Sequence, residues 1–157
     1  MRDLRIGDEL LLTVPDGFHE LTDDERSKMN MPWAGAWVGI SDPERHILVT
    51  AGSKKAGFFA GLLLNARDLA AHTEKQIRGA MTAFGYRSQD RTDRTVAGER
   101  ASGFRYAYEA QGTAMCAESC VFKRRGKICY LHLYAREALR EESFAVWEEI
   151  LSSVRPA

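Results

Sequence analysis

Gly103-Phe104-Arg105-Tyr106-Ala107-Tyr108-Glu109-Ala110-Gln111-Gly112 decides the fold, together with the two stretches that follow it. Residues 103–112 alternate as a strand does. Residues 115–122 (Met-Cys-Ala-Glu-Ser-Cys-Val-Phe) and 128–135 (Ile-Cys-Tyr-Leu-His-Leu-Tyr-Ala) read as two more. A helix over residues 141–154 then carries Phe144, Trp147, Leu151 and Val154 on one face. Three adjacent strands feeding one helix indicate an α+β protein on an antiparallel sheet.

The last hairpin sets a register. A tight turn centred on Arg125-Gly126 pairs Lys123 with Ile128, Phe122 with Cys129, Cys120 with Leu131, Ser119 with His132 and Ala117 with Tyr134. One face then holds Cys116, Glu118, Cys120, Phe122, Cys129, Leu131 and Leu133. The other holds Met115, Ala117, Ser119, Val121, Ile128, Tyr130, His132 and Tyr134. A slip of one residue would exchange the faces of one strand. Both faces are mostly apolar, as in a central strand covered on both sides. The expected architecture is an α/β/α sandwich with about six central antiparallel strands.

Working toward the N-terminus, residues 86–96 are charged and polar. They read as an edge strand or a long loop, with Arg87, Asp90, Arg91, Asp93 and Arg94 guarding against aggregation. Residues 65–84 read as the strongest helix, with Leu69, Thr73, Ile77, Ala80, Met81 and Phe84 on one face and Gly85 as a left-handed C-cap. Residues 35–41 and 46–53 read as a hairpin around Asp42-Pro43-Glu44-Arg45. Residues 56–64 are apolar but interrupted by glycine and read as a connecting loop. Thr22 with Glu25 is a capping-box pattern that starts a short helix over 22–29. Residues 8–14 read as a first strand, stopped by Pro15-Asp16-Gly17.

The length of 157 residues fits one domain, residues 1–157, and 45% hydrophobic content is enough for a core without disulfides or metal. Lys+Arg and Asp+Glu both total 22, so no net positive charge draws the chain to nucleic acid. The basic run Lys123-Arg124-Arg125-Gly126-Lys127 falls at a hairpin tip, where solvated charge is the ordinary role. Asp3, Asp8 and Glu9 break any apolar leader, and no apolar run nears the roughly 20 residues of a membrane span. The expected location is the cytoplasm. An odd count of three cysteines fits a reducing compartment.

This layout resembles the PsbP-like fold superfamily. The matching pieces are Val14-Pro15-Asp16-Gly17-Phe18, Gly103-Phe104-Arg105-Tyr106, and Tyr130-Leu131-His132-Leu133 followed by the helix with Trp147. The superfamily includes the photosystem subunit PsbP, a small Ran-binding nuclear-import protein, bacterial lipoproteins and chaperones for secretion effectors. The resemblance implies a bacterial, non-enzymatic, chaperone-like binding or assembly factor. Two features depart from it. The leader of the lipoprotein members is not expected here, and the sequence has no acidic or histidine cluster suggesting the photosystem role.

Among candidate sites, Trp33, Trp37, Phe58 and Phe59 lie in or beside two apolar loops that could form a groove for a protein or peptide partner. Tyr106, Tyr108, Tyr130, His132 and Tyr134 are the candidate lining of a pocket between sheet and helix, suited to a small molecule or lipid. Glu118 calls for a partner such as Arg105 or Arg136 if buried. His132 and Glu118 fall on opposite faces, which disfavours a hydrolase-type enzyme using both. Cys116 and Cys120 are too far apart along a strand, roughly 13 Å, to share a metal or a disulfide. No cofactor or metal is expected, and a homodimer stays open.

Overall fold

The computed structural model describes residues 2–29, 31, 36–57 and 63–157. In chain order these form β1 (Arg2–Ile6), β2 (Leu10–Val14), β3 (His19–Glu20), α1 (Asp23–Lys28), β4 (Trp37–Asp42), β5 (Ile47–Lys55) and α2 (Ala66–Ala80). There follow β6 (Arg87–Val96), β7 (Glu99–Ala110), β8 (Thr113–Arg124), β9 (Lys127–Arg136), α3 (Arg140–Ser153) and β10 (Arg155–Pro156). Seven strands make one antiparallel sheet in the order β3-β4-β5-β9-β8-β7-β6. β1, β2 and β10 make a separate three-stranded sheet.

Three identical devices build the β6–β9 meander. Ala97-Gly98, Gln111-Gly112 and Arg125-Gly126 each form a two-residue loop with both φ angles positive, from 48° to 79°. Such loops match the right-handed twist of the flanking strands, and glycine at the second position takes the left-handed conformation without Cβ strain. The register of the last hairpin is the expected one, with Lys123 opposite Ile128 and Ser119 opposite His132. Gly112 is a turn residue rather than the end of a strand, and β7 begins four residues before the expected start.

Thr22 caps α1 with Glu25 in a reciprocal capping box, as its spacing predicts. Asn65 and Asp68 cap α2 in the same way. α2 stops at Ala80, short of the expected Phe84. A 3-10 turn over Thr82–Phe84 intervenes, and Gly85 closes it at φ 67°.

α2 covers one face of the large sheet. The small sheet and α3 cover the other, where Leu12, Phe122, Leu133, Trp147 and Ile150 are fully buried. The sandwich expectation therefore holds, with two corrections. The large sheet has seven strands rather than about six, and β2 belongs to the small sheet beside β1, which the sequence reading did not assign. No helix among the described residues is long and apolar enough to cross a membrane.

Candidate functional site

The sheet face beneath α2 is built from two aromatic rows. β7 presents Phe104, Tyr106 and Tyr108, with ring centroids 5.9 Å apart at each step. β9 presents Tyr130, His132 and Tyr134 at 5.5 and 6.5 Å. β8 runs between them and supplies Ala117, Ser119 and Val121, so a trough of small side chains separates the rows. Tyr86 extends the first row by stacking on Tyr106 at 5.1 Å.

α2 lies over β7 and β8 and leaves two clefts along its flank. The first, about 680 Å³, lies between the C-terminal half of α2 and the β4–β5 hairpin. Its floor is Tyr106, Tyr108 and Tyr134, and its walls include Met31, Met81, Met115, Ile77 and Phe84. Phe84 stands 50% exposed at its rim, although its helical spacing suggested an inward position. The second cleft, about 580 Å³, lies beside the N-terminal half of α2 and contains Tyr130 and His132. The five residues expected to line one pocket are therefore divided between two clefts.

The tyrosines and the histidine of the two rows are held neutral. Burial pushes the Tyr108 phenol up to about 12, and pushes Tyr106 and Tyr134 upward as well. Burial lowers His132 to about 3, so its imidazole is uncharged at neutral pH. His132 Nδ1 shares a 2.7 Å hydrogen bond with Ser119 Oγ. At the mouth of the first cleft, Asp42 accepts hydrogen bonds from the Arg45 side chain and from the backbone N–H groups of Glu44 and Arg45. Burial opposes its charge, but these bonds outweigh it and lower the Asp42 pKa.

Glu118 occupies the opposite sheet face and is fully buried. Arg105 Nε donates to it at 2.8 Å, as the sequence suggested, whereas Arg136 does not. Arg94, from the edge strand, adds a two-pronged pair that the sequence reading missed. His132 and Glu118 are thus on separate faces. Cys116, Cys120 and Cys129 are free and buried. No group of three His, Cys, Asp or Glu side chains among the described residues could hold a metal ion.

Trp37 is half-buried in β4 opposite Gly52, and its carbonyl accepts a hydrogen bond from Arg26. Trp33, Phe58 and Phe59 lie outside the described residues. The cleft methionines were the missed feature. Three of the chain's five methionines meet there from separate parts of the sequence, and no local spacing reveals that convergence.

No protein-family model and no curated protein sequence matches the chain. Solved structures do match in fold. Cyanobacterial PsbP (CyanoP) from Synechocystis sp. PCC 6803 has a TM-score of 0.70 at 15% identity, over 94% of this chain and 86% of its own. The Ran-binding protein Mog1p of Saccharomyces cerevisiae has a TM-score of 0.66 at 7% identity, over 98% and 94%. LpqN, involved in cell envelope biogenesis of Mycobacterium tuberculosis, has a TM-score of 0.62 at 18% identity, over 99% and 90%. At these identities the likeness concerns the backbone alone, and on that ground the chain has the PsbP-like fold.

Proposed function

We propose that this chain is a non-catalytic binding domain that takes an apolar segment of a partner protein into the methionine-lined cleft. The observation that carries this reading is the convergence of Met31, Met81 and Met115 around Tyr106 and the half-exposed Phe84. Methionine is unbranched and polarizable, so such a surface adapts to varied apolar side chains. The neutral phenols beneath offer hydrogen bonds without charge. The ionisable groups best placed for acid–base work are engaged elsewhere. Glu118 holds two arginines on the far face, and His132 is uncharged. A neighbour described as Ran-binding supports a protein partner by analogy of fold. Three buried free thiols fit a reducing, cytoplasmic setting.

A photo-crosslinking residue at position 84, compared with one at position 125 on the β8–β9 turn, tests this in the cell of origin. An adduct to another polypeptide from position 84 alone, diminished by Met81→Glu, is the expected result. Identical adducts from both positions, or none from position 84, would overturn the reading.

The second cleft favours a second reading. Its volume of about 580 Å³ and its Tyr130, Leu69 and Ile128 walls suit a small apolar molecule. Native mass spectrometry of the purified protein would show a mass increment that disappears on unfolding. An unmodified mass under gentle desolvation would count against it.

A further inference from the structure

β6 ends the seven-stranded sheet, and no strand among the described residues pairs with its outer side. The opposite edge is the two-residue β3, so β6, at ten residues, is the long open edge. An open edge of this length is a template for another strand. The question is what its charges select.

Suppose a second copy pairs antiparallel with β6 about a two-fold axis. That axis must stand normal to the joint sheet, because directly opposite residues share a face. It therefore passes midway between one residue and the same residue of the second copy. Centring on Arg87, Asp90, Arg91, Asp93 or Arg94 sets a charge against itself. Centring on Gln89 sets Arg87 against Arg91. Within β6, centring on Ser88, Thr95 or Val96 opposes no two charges. Only Thr92 opposes unlike charges without opposing like ones: Arg91 meets Asp93 of the second copy, and Asp90 meets Arg94.

We infer that β6 is a self-complementary edge and that this chain forms a two-fold dimer by β6–β6 pairing centred on Thr92. The occupant is a second copy because the charge pattern matches its own reverse. The inner pair, Arg91 with Asp93, carries the recognition. Both residues are exposed, and Asp93 has only weak competitors, Arg67 at 4.0 Å and the Ser102 hydroxyl at 3.4 Å. The outer pair contributes less. Arg94 is already held by Glu118 and Glu148, and a bulge between Ser88 and Arg91 interrupts the regular ladder at Asp90. The bulge also prevents open-ended strand addition, since it limits regular pairing to the Arg91 side. In this arrangement both copies present α2, and hence their clefts, on the same side of a continuous fourteen-strand sheet, twice the seven of one copy.

Sedimentation velocity on wild type, from about 1 µM to about 1 mM, should show a concentration-dependent dimer. Raising salt from about 50 mM to about 500 mM should weaken it about tenfold, since the pairs are exposed. Arg91→Asp and Asp93→Arg each place like charges opposite one another and should weaken the dimer about tenfold or more. The combined Arg91→Asp/Asp93→Arg variant restores unlike pairs in reversed order and should recover dimerisation to within about threefold. Circular dichroism and unfolding midpoints check that each variant is folded. A wild type that stays monomeric overturns the proposal. So does a dimer that tolerates Arg91→Asp, or a combined variant no better than the single ones.

Discussion

Arg94 grips Glu118 with two prongs: Nε donates to Oε2 at 2.8 Å and Nη2 to Oε1 at 3.0 Å. Arg105 Nε adds a third bond at 2.8 Å, and Arg94 reaches on to Glu148 of α3 at 2.7 Å. The carboxylate thus joins β6, β7 and β8 to the helix that covers them. Arg105 in turn lies 4.2 Å from the centre of the Phe144 ring. Glu118→Ala leaves two arginines converging on an empty, desolvated position. Removing one partner of a buried ion pair costs about 3–5 kcal/mol. Urea unfolding should show that loss for Glu118→Ala and a smaller one for Glu148→Ala, which is partly exposed. Equal, small losses from both would remove Glu118 from its central role.

His132 makes stability depend on pH. Burial lowers its pKa from 6.5 to about 3 in the folded protein. Between those values the unfolded chain takes up a proton that the folded protein refuses. Stability from this residue is therefore full above the unfolded pKa and falls as pH drops, by up to about 1.4 kcal/mol per pH unit. Between pH 7 and pH 5, wild type should lose about 2 kcal/mol more than His132→Gln in urea unfolding. Parallel losses in the two proteins would show that His132 is not the group responsible.

The three thiols should be inert in the folded state. Burial raises Cys116 and Cys129 to about 11 and Cys120 to about 12. The thiolate is the reactive form, so little is present at pH 8, and what forms is out of reach of solvent. Ellman's reagent should label none of the three rapidly in native protein and all three after denaturation. Fast labelling of even one thiol in the native protein would show that the core under the small sheet opens readily.

The legible parts of this fold are those that local chemistry dictates. Arg125-Gly126 fixes one hairpin register, and that register fixes which side chains share a face. Thr22 with Glu25 fixes the start of α1. What was not legible depends on contacts between distant segments. β1 has only Leu4 and Ile6 as buried apolar positions, and β10 is two residues long, so neither has a readable period. They exist because β2 pairs with both. Arg94 looked like one more solvated charge on an edge, and only the Val96 side of β6 turning inward brings it to Glu118. The cleft is similar, since Met31, Met81 and Met115 lie in separate segments of the chain.

Three glycines should respond to alanine with different signs. At Gly103 a Cβ would clash with the Ser119 carbonyl oxygen, so two neighbouring strands must separate. At Gly52 it would lie 2.5 Å from the Tyr130 hydroxyl and 2.7 Å from the ring carbon that bears it, so the buried ring must tilt but no strand need move. At Gly79, near the end of α2, it would meet nothing within 4 Å. Overpacking costs about 1–3 kcal/mol, and more where backbone must move. Gly103→Ala should therefore exceed about 3 kcal/mol, and Gly52→Ala should fall within the ordinary overpacking range. Gly79→Ala should instead stabilise by about 0.5–1 kcal/mol, because alanine loses less backbone freedom in a helix. Thermal unfolding of the three variants beside wild type gives the order directly. A Gly103→Ala protein as stable as wild type would mean that β7 and β8 do not approach this closely. A destabilised Gly79→Ala protein would mean that the last turn of α2 is not helical.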